Sequence, residues 1–154
     1  RRLQHETVME LYDMNEELAW QIDRIEQLKS QIAELEGNDG LNKKLAAQLS
    51  SFGQSLEDIR TELVVTTGDN YVAQAENRLR EEIANLYSEV AGYTGSPTNA
   101  QLANLKLRKQ ELNTALSSIE EAMKPLQGIN KQLAANGLQL LSFRSKEEFL
   151  ESDK

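Results

Sequence analysis

Apolar residues recur along this chain at steps of three and four, and the longest regular stretch runs over 97–133. At a seven-residue period Leu105, Leu112, Ile119, Leu126 and Leu133 share one position, and Leu102, Lys109, Leu116, Met123 and Asn130 fall three residues before each. A strand, with its period of two, would scatter these side chains over both faces, whereas a helix gathers them into one stripe. The stretch is therefore expected to be a long helix, and burial of its apolar edge against other segments has to stabilise it.

Three further stretches carry the same signal. Over about 3–36, Val8, Leu11, Met14, Leu18, Ile22, Ile25, Leu28, Ile32 and Leu35 mark a helix roughly 50 Å long, ended by Gly37-Asn38-Asp39-Gly40. Over about 41–65 the seam is Leu45, Leu49, Phe52, Leu56, Ile59 and Leu63, with the weak helix formers Ser50, Ser51 and Gly53 inside it. β-Branched Val64-Val65-Thr66-Thr67 and the turn Gly68-Asp69-Asn70 separate it from a third helix at about 70–91, whose inward residues are Val72, Ala75, Leu79, Ile83, Leu86 and Val90. The fourth helix, about 97–135, starts either with Ser96 capping before Pro97 or with Thr98 and Gln101 in a capping box. Pro125 should kink it between Glu121 and Pro125, and Asn136-Gly137 should stop it.

Four amphipathic helices with short connections predict an all-α fold, an antiparallel up-down-up-down four-helix bundle with coiled-coil-like seams. A three-helix bundle with a projecting first helix is the alternative. Residues 1–141 are expected to form a single bundle, and 142–154 to be a flexible charged tail. The chain opens Arg1-Arg2-Leu3-Gln4, without Met and inside a helical pattern, which suggests a fragment of a larger protein.

Composition narrows the chemistry. A chain of 154 residues is large enough to bury its own core, and it has no Cys, so disulfides, thiolate metal sites and cysteine nucleophiles are excluded. With a formal net charge of -8 it lacks the basic face that nucleic acid or an anionic membrane would need. No apolar run is long enough to be inserted in a bilayer. A single His, His5, cannot build the paired Glu-x-x-His sites of di-metal bundles. The acidic pairs Glu16-Glu17, Glu81-Glu82, Glu120-Glu121 and Glu147-Glu148 point about 100° apart on a helix and are expected to be solvated. No Gly-rich phosphate loop is present. The chain is thus expected to be no enzyme and to hold no cofactor or metal.

Polar residues on the seams carry more information. Asn15, Lys109 and Asn130 interrupt apolar edges, and such residues fix register or partner choice at a cost in stability. Trp20, Tyr12, Tyr87 and Tyr93 lie on the shoulders of the seams, where aromatic side chains serve as rim packing or as interface anchors. The candidate interface residues are therefore Asn15, Trp20, Tyr87, Tyr93, Lys109 and Asn130.

The run Leu86-Tyr87-Ser88-Glu89-Val90-Ala91-Gly92-Tyr93, the run Gly95-Ser96-Pro97-Thr98-Asn99-Ala100-Gln101-Leu102, and Ile129-Asn130-Lys131-Gln132-Leu133 followed by Asn136-Gly137 carry a resemblance. They resemble the C-terminal helical region of bacterial exported proteins whose main body is a sortilin-like, sialidase-type β-propeller, often labelled glycosyl hydrolases for their Asp-box repeats. That family has a "Leu-Tyr-x-x-Val" helix end, then a "Pro-Thr-x-x-Gln" helix start and an "x-Asn-x-x-Leu" closing element. Met14-Asn15-Glu16-Glu17-Leu18 is similar to its first helix. The resemblance carries over no catalytic residue, since the family's active face belongs to the propeller. It implies an extracytoplasmic multidomain protein in which this bundle is an accessory part, partnered by its own parent-chain domain or by a second copy of itself.

Overall fold

The computed structural model describes residues 2–64, 78–93 and 95–152. All regular structure among them is helical: α1 (Arg2–Glu36), α2 (Lys43–Leu63), α3 (Leu79–Ala91), α4 (Asn99–Met123), α5 (Pro125–Ala135) and α6 (Lys146–Ser152). The expected turn at Gly68-Asp69-Asn70 and the expected start of the third helix, with Val72 and Ala75, lie outside the described residues.

The chain divides into two compact units, Arg1–Trp20 with Thr61–Leu116, and Gln21–Arg60 with Ser117–Lys154. In the first, Leu11, Met14 and Leu18 of α1, Leu79, Ile83, Leu86 and Val90 of α3, and Leu105 and Leu112 of α4 are buried. Thr7, not Val8, fills the inward position on the opening turns of α1. The amide of Gln4 on α1 donates to the carbonyl of Val90 at 3.0 Å and to that of Tyr93, while Tyr12 neighbours Tyr87. As the α1 number rises the α3 number falls, so these two helices run antiparallel.

The second unit is built on Ile22, Ile25, Leu28, Ile32 and Leu35 of α1, Leu45, Leu49, Phe52 and Leu56 of α2, Ile119 and Met123 of α4, and Ile129 and Leu133 of α5. Full burial of each such side chain contributes roughly 1.5–3 kcal/mol before entropy is counted. Lys29 pairs with Glu57, and Gly53 lies beside Ile32, so α1 and α2 are also antiparallel here. Ile59 is only half-buried.

Side-chain chemistry sets the helix ends. Asn42 Oδ1 accepts the Leu45 amide at 2.7 Å, which starts α2 at Lys43 and not at 41. Of the two starts open for α4, the Thr98 and Gln101 box is the one formed, with reciprocal 3.0 Å bonds. Pro125 has no amide hydrogen to donate, so α4 closes at Met123, Lys124 turns, and Pro125 opens α5 as its first residue. The interruption leaves Leu133 of the predicted seam buried but alters the position next to the break. Leu126 is half-buried, and Ile129, which is off the predicted seam, is buried in its stead.

α5 ends in a Schellman motif. The Leu138 amide donates to the Leu133 carbonyl at 2.9 Å and the Gly137 amide to Ala134 at 3.1 Å, with Gly137 at φ 70°. The expectation of a flexible charged tail over 142–154 is corrected here. Residues 138–145 have no regular secondary structure but are hydrogen-bonded to α1 and α5, and Lys146–Ser152 forms α6. Ser145 and Glu148 cap α6 reciprocally at 3.0 and 3.1 Å, a Ser-x-x-Glu box that the charge of the segment obscures.

Candidate interaction site

Five of the six candidate interface residues belong to the first unit. Tyr87 and Trp20 are half-buried, as is Asn15. Tyr93, just after α3, is exposed, and its carbonyl accepts from Gln4. Lys109 does not enter the seam: it is exposed and pairs with Glu10 of α1, its stem reaching out as long cationic side chains do. Tyr12 adds to this group. The Glu16 carboxylate beside it, then burial and a hydrogen bond to Glu16, hold its phenol above the usual range. In the first unit Leu3, Met9, Tyr12 and Tyr93 are exposed at 44, 45, 45 and 56 %.

Asn130 lies in the second unit, where its side chain is engaged internally. Its Nδ2 donates to the Leu141 carbonyl at 3.0 Å and its Oδ1 accepts the Leu141 amide at 2.8 Å. The next residue is held the same way from α1: Gln31 Nε2 donates to the Ser142 carbonyl and Gln31 Oε1 accepts the Ser142 amide, both at 2.8 Å. A third amide, Gln27, accepts the Arg144 N–H at 2.9 Å and donates to Asp23. Asn130 and Gln31 each present one donor and one acceptor to a peptide, and Gln27 an acceptor alone, so the Leu141 and Ser142 backbone groups are satisfied much as a neighbouring strand would satisfy them.

Charged and aromatic groups complete the clasp. Arg144 forms a fork on Asp23, with Nη2 to Oδ1 at 2.7 Å and Nε to Oδ2 at 3.3 Å. Arg24 sits 4.5 Å from the Phe143 ring centroid and Arg144 5.4 Å from that of Phe149. The Arg24 guanidinium donates to Gln21 at 3.0 Å and to Glu120 at 3.3 Å. Leu141 alone in the segment is a buried apolar anchor. Gln21, Asp23, Arg24, Gln27, Gln31 and Arg144 went unmarked by the periodicity. For all but Arg144 the one available signal was their concentration on a single stretch of α1, with Gln27 and Gln31 four residues apart.

Two hollows flank this region. Beside Arg24 and Leu140, an open groove of about 790 Å³ runs from Met123 at the end of α4 along Gln127, Asn130 and Ala134 of α5, with Lys124 and Lys131 on its walls. Between α2 and α5, a cleft of about 370 Å³ has Phe52 and Ile129 in its lining, with Ser51, Ser55, Gln48 and Gln132 around them. Gly128 also lines it, and a Cβ placed there would meet nothing within 4 Å. Among the described residues no group of three or more His, Asp or Glu side chains could hold a metal ion, and no helix is long and apolar enough to cross a membrane.

No protein-family model, curated protein or solved structure matches the chain.

Proposed function

We propose that this chain is a non-catalytic helical bundle acting as an accessory module, which packs against or spaces a larger extracytoplasmic β-propeller-type domain of its parent protein. The observation that carries the interaction is the exposure of Leu3, Met9, Tyr12 and Tyr93 in the first unit, with Trp20 and Tyr87 half-buried and Leu107 of α4 also exposed. Tyrosine and methionine are enriched where proteins meet, because they bring large apolar area at modest entropic cost. The propeller as partner, and export, rest on the resemblance of the 86–102 and 129–137 motifs. A non-catalytic role is supported by the use of the acids in caps and ion pairs: Glu10 with Lys109, Glu57 with Lys29, Asp23 with Arg144 and Glu148 with Ser145.

The arrangement that the contacts support is a helical bundle in which α2 and α3 each run antiparallel to α1, while α4 runs parallel to it, Glu10 pairing with Lys109 and Arg24 with Glu120. In the second unit the segments side by side are those of α1, α2 and α4 with α5, and the fourth element is the irregular segment 138–145. This favours three helices there over the four-helix up-down-up-down arrangement, which remains the other reading of the periodicity.

Hydrogen exchange tests the interaction. In the full-length parent protein, peptides covering Tyr12 and Tyr93 should exchange more slowly than in the isolated chain; equal exchange in the two would remove the proposed face. A self-associating coiled-coil module is the second reading, since the same apolar residues would serve it. A mass that rises toward the dimer in sedimentation equilibrium over a hundredfold concentration range, and returns to the monomer in Tyr12→Ser/Tyr93→Ser, would favour it.

A further inference from the structure

Residues 138–145 are bound to their own chain as a peptide is bound to a receptor. The receptor side comprises Asp23, Arg24, Gln27 and Gln31 on α1 and Asn130 on α5. The bound side offers the backbone of Leu141 and Ser142, the buried Leu141 side chain, the Phe143 ring and the Arg144 guanidinium. Recognition of an extended backbone by amide pairs, with alternate side chains giving selectivity, is the logic of strand-type peptide recognition. None of these contacts depends on the covalent link between the two sides. That link is a single tight reversal at Gly137, which has to hold φ 70° for the segment to fold back on its own α5.

The segment is also lightly held. Ser142 is exposed, Phe143 and Arg144 are half-buried, and several of the bonds lie at the surface. Elements with few buried apolar contacts and solvent-accessible hydrogen bonds open at low free-energy cost.

From this geometry we infer that the groove between α1 and α5 accepts the 138–152 arm of a second copy of this chain, giving a homotypic pair joined by exchanged arms. Every contact of the closed form is kept in the exchanged form, and the turn at Gly137 is released. The closed form wins in dilute solution because the tethered arm has an effective concentration on the order of mM. Exchange takes over when copies are held close together or when the turn is penalised. This arm is separate from the aromatic face of the first unit, so either proposal can fail without the other.

The test uses two full-length variants. One carries a defective groove, Gln31→Leu with Asn130→Leu, and the other a defective arm, Leu141→Ser with Arg144→Ala. Each alone should sediment as a monomer with its helical circular dichroism retained. Their mixture should give a one-to-one complex of twice the mass, because one contributes an intact groove and the other an intact arm. A mixture that stays monomeric while both partners remain helical overturns the inference. Should either double variant lose its fold, Gly137→Val in the otherwise unchanged chain decides. A β-branched residue disfavours the left-handed turn, so the dimer fraction should rise roughly tenfold, and an unchanged fraction overturns the inference.

Discussion

Gln31 and Ser142, separated by 111 residues, exchange two hydrogen bonds of 2.8 Å between a side-chain amide and a backbone peptide. Asn130 does the same for Leu141 from the other side. The polar residue on the α5 seam is therefore explained within the chain: it supplies the donor and acceptor that a peptide running beside a helix cannot find in that helix's own backbone.

The two clamps should differ in strength. Asn130 is half-buried and its bonds partly shielded, so Asn130→Ala is expected to cost about 1–3 kcal/mol, because the Leu141 peptide would lose partners that water replaces poorly. At Gln31 the bonds are exposed and water substitutes readily, so Gln31→Ala should cost about 0.5–1.5 kcal/mol. Urea midpoints at constant m-value would measure both. Equal losses would mean that burial does not decide the contribution.

The α4 seam makes a sharper prediction. Ile119 and Leu112 are buried while Leu107, on the same helix, is exposed. Ile119→Ala and Leu112→Ala should each cost roughly 2–5 kcal/mol, and Leu107→Ala should stay within about 0.5 kcal/mol. Thermal or urea unfolding of the three variants checks the inward face directly. A loss below about 1 kcal/mol at Ile119 would place the seam elsewhere.

Arg24 and Glu120 form an unequal pair, the guanidinium side chain 8 % exposed and the carboxylate side chain 67 %. Removing the exposed partner should matter little, so Glu120→Gln is expected to change stability by no more than about 1 kcal/mol. Arg24→Ala should cost more, about 1–3 kcal/mol, through loss of the contact with the Phe143 ring and of the bond to Gln21. Arg24→Met, which keeps the length and drops the charge, should recover most of that loss. Comparing the three midpoints separates packing from charge.

Glu148 gives the pH dependence. The Ser145 backbone N–H, then the Ser145 hydroxyl side of the cap, hold its carboxyl below the ordinary value of 4.5, with Arg144 adding to the effect. A carboxyl lowered in the folded chain contributes stability that is present above its unfolded pKa and lost as pH falls through the folded one. The α6 cap should therefore be intact at neutral pH and weaken only below about 4.5. NMR titration of the Glu148 side-chain carboxyl would follow it, and Ser145→Ala should return the midpoint toward the ordinary value.

Much of the fold was written in short-range rules, which is why it could be read. The steps Leu105, Leu112, Ile119 and Leu45, Leu49, Leu56 give the helices. Thr98 with Gln101 gives a cap, and Gly137 gives a stop, because each depends on residues within one or two turns. Past Pro125 the seven-residue count held at Leu133, which is fully buried, and missed by one position beside the break, where Ile129 is buried and Leu126 only half so. The clasp was illegible for another reason. Gln27, Gln31 and Asn130 look like ordinary surface amides until residues 138–145 are laid beside them, and no local pattern encodes a contact across 111 positions. The Ser145 and Glu148 box was legible by rule and was masked by the surrounding charges.

Gly128 points to a site where thermodynamic optimisation has been left incomplete. A glycine within a helix gives up roughly 1 kcal/mol relative to alanine, usually because a neighbouring backbone needs the room, yet nothing occupies the space beside this one. Gly128→Ala should therefore raise the unfolding free energy by about 0.5–1 kcal/mol while making the cleft against α2 shallower. Proteins commonly keep such unused stability where shape matters more than strength. The hollow facing Phe52 thus becomes the position at which the melting temperature and whatever the surface contour serves can be set against each other by a single methyl group.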